Sequence, residues 1–315
     1  MKYLFFDIEC SNCFQGVGKM CEFGYVLTDE NLVVMKCGDI PMSPGKGRSN
    51  RFNLTGRKHE KDLQLAYSYD FYFSQPEFPF FYDQIKRLVE DPSTICFAYS
   101  MDNDIPHLYN SCKRYGLEPF DYVCYDVQKL VVDYLESKKQ ISLANACHEI
   151  VGRNSTVRLQ EHLSRDDAEM ERLILDAICA LTNQTPSEVL DNPRFTHTTS
   201  TEFMKHILNK AKKKKQADKG HKLYRSLLSE QSELEKPENV GRRYNISGDL
   251  KANLEKLKET IKAIKDKNGL FSDHLSLTDY FVVLDDNNKK EIIEKLKSPY
   301  EGVMLTYDEF VKGDE

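Results

Sequence analysis

Two carboxylates two residues apart, Asp7 and Glu9, close an apolar run near the start of the chain. If residues 3–8 form a strand, alternation puts both acids on one face and Leu4, Phe6 and Ile8 on the other. Two acids at the end of a buried strand are costly without a partner, and a divalent cation is the simplest one. Acids that merely reach solvent at a strand end would give the same pattern, and Asp167-Ala168-Glu169 repeats the spacing. A second acidic element is Tyr99-Ser100-Met101-Asp102-Asn103-Asp104-Ile105, where a strand should run into a helix. Asp104 directly precedes the apolar face of Ile105, Leu108, Cys112 and Tyr115, and this spacing favours it over Asp102 as a ligand. A helix N-cap is the alternative role. The third element is His162, followed five residues on by Asp167 at the start of an amphipathic helix. Alone, it would be a surface histidine beside a cap. As a set, four carboxylates and one near-neutral imidazole can hold hard cations and move a proton.

In order, spacing and context, these residues resemble the DEDD-type 3′–5′ exonucleases in their histidine-containing branch. The chain is similar, over residues 1–182, to the proofreading epsilon subunit of bacterial DNA polymerase III and its free-standing relatives. The resemblance implies a ribonuclease H-like α/β domain with a mixed sheet. It also implies that Asp7, Glu9, Asp104 and Asp167 hold two Mg²⁺ or Mn²⁺ ions, with His162 as general base. The expected reaction is release of 5′-mononucleotides from a DNA 3′ end, in replication proofreading or repair. Trimming of RNA is the nearest alternative, and an inactive nucleic-acid-binding adaptor is a second. The pattern departs from the family in two places. Cys10-Ser11-Asn12 stands where Thr-Thr-Gly is usual, so Ser11 and Asn12 are the candidates for contact with the terminal nucleotide. Tyr99-Ser100 stands where His-Asn is usual.

The elements that must position these groups read as follows. Residues 3–8 form a central strand, and 23–27 with 32–37 form a hairpin around Thr28-Asp29-Glu30-Asn31. Residues 41–79 are irregular and rich in Gly, Pro, Ser and Asn. Helices are expected at 82–90, from 105, at 128–136, at 143–151 and at 166–181, with strands at 94–99 and 122–127. Ser142 is the expected cap and Gly152 the stop of the 143–151 helix. The sheet should have about five strands and be mixed, because it opens with a hairpin.

A chain of 315 residues suggests two domains, expected here as 1–183 and 238–315 with a connector between. All nine cysteines lie before residue 180, which marks a composition shift. An odd cysteine count without a secretory signal favours free thiols and a cytoplasmic location. Zinc on Cys10, Cys13, Cys21 and Cys37 is disfavoured, since the spacing matches no finger or ribbon. No run of about 20 apolar residues is present, which excludes a membrane-spanning helix.

The net charge of −6 argues against binding nucleic acid by bulk charge and leaves local basic surfaces to do it. Lys46, Arg48, Arg51, Arg57 and Lys58 lie in a stretch without acids and are candidates for phosphate contact, a solvated loop being the alternative. The connector, residues 184–237, reads as helical or partly disordered. Its segment Lys205–Arg225 carries nine basic residues and one acid, Asp218.

Beyond it, strands at 242–246, 278–284 and 302–305 alternate with helices to about 267, at 287–297 and at 307–311. Such alternation implies a small parallel sheet. Gly241, Ser247-Gly248-x-Leu250, Thr278-Asp279-Tyr280-x-Val282 and the Leu305–Phe310 segment resemble a BRCT domain over residues 239–315. The usual Gly-Gly is reduced to Gly269, and Phe310 stands where Trp is common. The resemblance implies a phosphate site from Ser247, Gly248 and Lys289 or Lys290, serving a phosphorylated end or a protein partner.

Overall fold

In this computed structural model the described residues are 1–11, 18–45, 65–152, 159–193, 195, 197–232, 241–296 and 298–312. They form two compact units, 1–205 and 206–315.

The first unit is built on a mixed six-stranded sheet in the order β3-β2-β1-β4-β5-β6. Its strands are β1 (Lys2–Ser11), β2 (Lys19–Asp29), β3 (Val34–Pro41), β4 (Thr94–Ala98), β5 (Val123–Asp126) and β6 (His197–Thr199). β1 and β2 pair antiparallel, as do β2 and β3, while β1, β4 and β5 run parallel. This is the ribonuclease H-like arrangement expected, with one strand more. β6 pairs antiparallel with β5 through Val123↔Thr199 and Tyr125↔His197.

Alternation along β1 sends successive side chains into two cores. Leu4, Phe6 and Ile8 pack with Cys96, Ile105 and Leu108. Tyr3 and Phe5 pack with Leu130, Cys147 and Ile174. The helices covering the two faces include α2 (Phe78–Val89), α3 (Met101–Arg114), α4 (Val127–Tyr134), α5 (Leu143–Ile150) and α6 (Ser164–Thr182). Ser142 caps α5 through the Asn145 N–H, and Gly152 ends it at φ 96°.

Three local readings shift. The expected irregular stretch 41–79 contains a short helix, α1 (Tyr69–Ser74), and the start of α2. The hairpin turn keeps four residues but sits two positions further on, at 30–33, because the Asp29 carboxylate accepts the N–H groups of Asn31 and Val33 and Leu32 takes φ 63°. The segment expected as a connector is divided between the units. Its helix Pro186–Leu190 and β6 belong to the first, where Val189, Leu190 and Phe195 join the core. The long helix Ser200–Ser232 gives Met204 to the first unit and Tyr224 and Leu227 to the second.

The second unit is the expected parallel sheet, ordered β10-β9-β7-β8. Its strands are β7 (Arg243–Ile246), β8 (Leu270–Phe271), β9 (Tyr280–Val283) and β10 (Val303–Thr306), with every pair parallel. Helices Gly248–Ala252, Leu254–Asp266, Asp286–Lys295 and Tyr307–Val311 connect or cover them.

Candidate metal centre

β1 is longer than its parallel neighbour. Pairing with β4 stops at Phe5↔Phe97, while β1 continues to Ser11 against β2. The overhang leaves Asp7 and Glu9 at the carboxyl end of the parallel strands, on the face that α6 covers. Crevices at this end of an open sheet are where α/β proteins place ligands. Asp104 enters from the first turn of α3 and is only 3% exposed. Its carboxylate receives the backbone N–H groups of Ile8 and of Asp104 itself, so it occupies the edge that β4 vacates. Asp102 is exposed. Of the two acids, Asp104 is thus the buried one, at the end of β1.

α6 brings the third element. Opposite Asp7 in the β1–β2 register stands Gly24. A Cβ there would lie 2.0 Å from the Arg165 nitrogen and the Ser164 carbonyl carbon. Only glycine lets the start of α6 rest on β2, and that close approach sets Asp167 beside β1. Asp167, 8% exposed, accepts the backbone N–H of His162 at 3.0 Å. The His162 ring Nδ1 lies 3.3 Å from Glu9 Oε1. His162 has φ 65°, a left-handed conformation held here by that short loop. Ligand atoms of Glu9, His162 and Asp167 all lie within 4.8 Å of one another, close enough to share one metal ion.

The electrostatics of the cluster point the same way. Burial, and then the charges of Asp104, Glu9 and Asp167, push the Asp7 carboxyl well above its usual range. Asp104 is raised by burial and by Glu9. Asp167 is pushed up to about 7 by burial and Glu9, with the His162 N–H opposing. Glu9 is raised by burial, opposed by His162. His162 itself is raised by its contact with Glu9. Acids crowded this closely cannot all ionise unless positive charge joins them. Their oxygen-rich donor set suits a hard divalent cation such as Mg²⁺ or Mn²⁺.

Three further acids support the site, Glu22 and Glu171 fully buried and Asp39 half-buried, and sequence reasoning missed all three. Glu22 faces Glu9 across the β1–β2 register and is fully buried. It accepts the Ser164 N–H at 2.7 Å and hydroxyl at 2.8 Å, and the Tyr72 hydroxyl. The backbone two residues past His162 is thereby fixed. Asp39, bonded to Tyr67 and Ser164, is pushed up to about 7 by burial and Glu22. Glu171, fully buried on α6, accepts the Tyr99 N–H. An acid inside an apolar run, as in Cys21-Glu22-Phe23, was the one signal available for the first.

The remaining candidates are not gathered here. Ser11 is buried, and its hydroxyl donates to the Lys19 carbonyl at 3.3 Å. Asn12, Cys13, Arg48, Arg51, Arg57 and Lys58 lie outside the described residues. In the second unit Ser247 is 2% exposed and caps the helix Gly248–Ala252 through the Leu250 N–H. Gly248 has open space where a Cβ would stand. Asp249 accepts from the Asn288 amide, so the starts of the two helices meet, but the Lys289 amine lies 3.5 Å from Glu309.

No protein-family model matches the chain, and no curated protein matches its sequence. Among solved structures it is similar to the nuclease domain of 3′hExo, a DEDDh family member bound to rAMP, with 13% identity over 62% of this chain and 96% of that one and a TM-score of 0.47. It is similar to a 3′-exonuclease that recognises the 3′ end of a histone mRNA stem-loop, at 12% identity over 62% and 66% and a TM-score of 0.46. It is also similar to E. coli exonuclease I in complex with a dA16 oligonucleotide, at 12% identity over 60% and 42% and a TM-score of 0.45. The chain thus spans under half the length of exonuclease I and just under two thirds of the stem-loop enzyme. Likeness at this level assigns no activity; the site's own geometry must carry that.

Proposed function

We propose that the chain is a divalent-metal-dependent 3′–5′ exonuclease that releases 5′-mononucleotides from DNA. The observation that carries this reading is the convergence of Asp7, Glu9, Asp104 and Asp167 around one end of β1, with His162 in contact with Glu9. Asp7, Glu9, Asp104 and Asp167 would hold the ions. When bound, a pair of such ions stabilises charge on the attacking and leaving oxygens of phosphodiester hydrolysis. His162 acts as general base. Nδ1 faces Glu9, so Nε2 takes the proton from the attacking water, and the Glu9 contact raises the basicity of the ring. Water adds to phosphorus, the P–O3′ bond breaks, and the shortened strand keeps a free 3′ hydroxyl.

The second unit is BRCT-like in this reading, supported by its parallel sheet and by Ser247 at the end of β7. It would bring the enzyme to DNA ends or to partners in repair. RNA is the competing substrate, since nothing in the acid cluster selects the sugar. The deciding experiment digests matched 5′-labelled DNA and RNA strands with and without Mg²⁺. Mononucleotide release from the 3′ end of DNA, dependent on the ion, is expected. Faster digestion of RNA would change the substrate, and no Mg²⁺-dependent release from either would leave only the adaptor reading.

A further inference from the structure

The helix Ser200–Ser232 is no loose tether along its C-terminal half. Tyr224 is buried and its hydroxyl donates to the Ser272 carbonyl at 2.6 Å. Gln231 exchanges two hydrogen bonds with the Phe271 backbone, at 2.6 and 3.1 Å. Gly220 is needed for close approach, because a Cβ there would lie 1.7 Å from the Lys251 carbonyl oxygen. One face of the helix, carrying Gly220, Tyr224 and Leu227, is therefore seated in the second unit's core.

The outward side carries charge in a regular pattern. Lys212, Lys215, Lys219 and Lys222 recur at steps of three, four and three residues, which lines them along one stripe of an α-helix about 15 Å long. All four are exposed, and among the described residues none has an ion-pair partner. Asp218 is the only acid between His206 and Arg225, against eight basic residues. Like charges three and four apart cost roughly 0.2–0.5 kcal/mol per pair in a helix. A face kept only for solubility would alternate signs. A stripe that retains the repulsion, on a chain of net charge −6, suits a ligand of dense negative charge.

We propose that this lysine stripe is a binding surface for the phosphate backbone of a single-stranded DNA. The assignment of the ligand rests on the exonuclease reading; the surface itself rests on the pattern and the seating of the helix. The test compares the full chain with a variant carrying Lys212→Gln, Lys215→Gln, Lys219→Gln and Lys222→Gln. Binding of a fluorescent single-stranded oligonucleotide is measured by anisotropy in chelator over a salt series. The wild-type affinity should fall linearly with log salt, and the variant's slope should be shallower by about 0.7 per replaced lysine, roughly 3 in all. At low salt the variant should bind at least about tenfold more weakly. Circular dichroism equal to wild type excludes loss of the helix. Mg²⁺-dependent turnover on a trinucleotide should be the same for both proteins. No turnover in either, with the binding difference intact, would remove the exonuclease reading and leave the surface standing. Equal slopes and affinities, or tighter wild-type binding to polyglutamate or to anionic vesicles than to DNA, would overturn the proposal.

Discussion

Glu171 on α6 accepts the backbone N–H of Tyr99 at 3.0 Å. It thereby ties the helix that carries Asp167 to the strand end from which α3, with Asp104, departs. The next residue, Ser100, takes φ 76° to turn the chain into α3. Glu171 is fully buried, its Oε2 has no hydrogen-bond partner among the described residues, and burial together with Asp7 and Asp104 pushes its carboxyl well above the usual range. What the structure shows it doing is accepting the Tyr99 N–H. Glu171→Gln keeps that acceptor and should retain near-wild-type turnover. Glu171→Leu frees the Tyr99 N–H and should lower kcat by about 10²-fold with little change in KM, the scale of a misplacement near 1 Å. Equal losses in both variants would mean that the charge, not the acceptor, matters.

The acids at the end of β1 give the most direct prediction. Asp7→Ala or Asp104→Ala should abolish hydrolysis, because either removes one of the four proposed metal ligands. Thermal stability in chelator should hold or rise for Asp7→Ala, as like charge is removed, whereas Asp104→Ala also frees the Ile8 N–H and should lower it modestly. Asp102→Ala should behave as wild type, since Asp102 is exposed. Activity within a few-fold of wild type for Asp104→Ala would remove it from the site.

His162→Ala should lower turnover by about 10²–10⁴-fold, the usual share of general-base catalysis. The contact of Nδ1 with Glu9 makes a second measurement necessary, because His162 lies close enough to Glu9 and Asp167 to share an ion with them. Mn²⁺ affinity, read by titration calorimetry, should be nearly unchanged in the variant. A parallel fall in affinity and turnover would make His162 a ligand and retire it as the base.

Protonation of the same cluster links stability to pH. Burial pushes both Asp39 and Asp167 up to about 7 from the ordinary 3.8 in the metal-free protein. The unfolded chain releases these protons near pH 4, whereas the folded chain keeps them to near 7. The folded state binds more protons across that window, so its stability falls as pH rises through it. In chelator, Tm should be lower at pH 7.5 than at about pH 5.5. Mg²⁺ should raise Tm more at the higher pH, where the carboxylates no longer hold protons against it. A chelated Tm that rises between those values would show that these acids are not buried as described.

What could be read from the sequence was local. The alternation of Leu4, Phe6 and Ile8 against Asp7 and Glu9 is a two-residue period, and it placed both acids on one face. The spacing of Asp104 to Ile105 and Leu108 was enough to prefer it to Asp102. Glu22 and Glu171 were not legible because their roles depend on partners far along the chain, Ser164 and Tyr99, and no period announces a buried acid that holds a backbone N–H. β6 has three residues, too few for any pattern, and is a strand only because β5 offers an open edge. The helix Ser200–Ser232 looked like a connector because charge surrounds its middle, and its anchors at Gly220 and Tyr224 show only in three dimensions.

That last difference changes where the catalytic unit can be cut. All four acids and His162 precede residue 182, so a fragment ending at Leu181 would hold every proposed catalytic group. It would also strip β6 from β5 and take Val189, Leu190 and Phe195, all at least nine-tenths buried, out of the core. Each such side chain contributes on the order of 1.5–3 kcal/mol, and three together approach the whole stability of a domain. The 1–181 fragment should therefore aggregate or melt far below the full chain. A fragment ending at Lys205 keeps β6, the buried Met204 and the boundary of the compact unit. It should fold, and should digest short oligonucleotides in Mg²⁺ at the full-length rate, while lacking the lysine stripe and its salt-dependent grip on longer strands. A 1–181 fragment as stable and active as 1–205 would show that β6 and the helix Pro186–Leu190 are dispensable additions to the sheet.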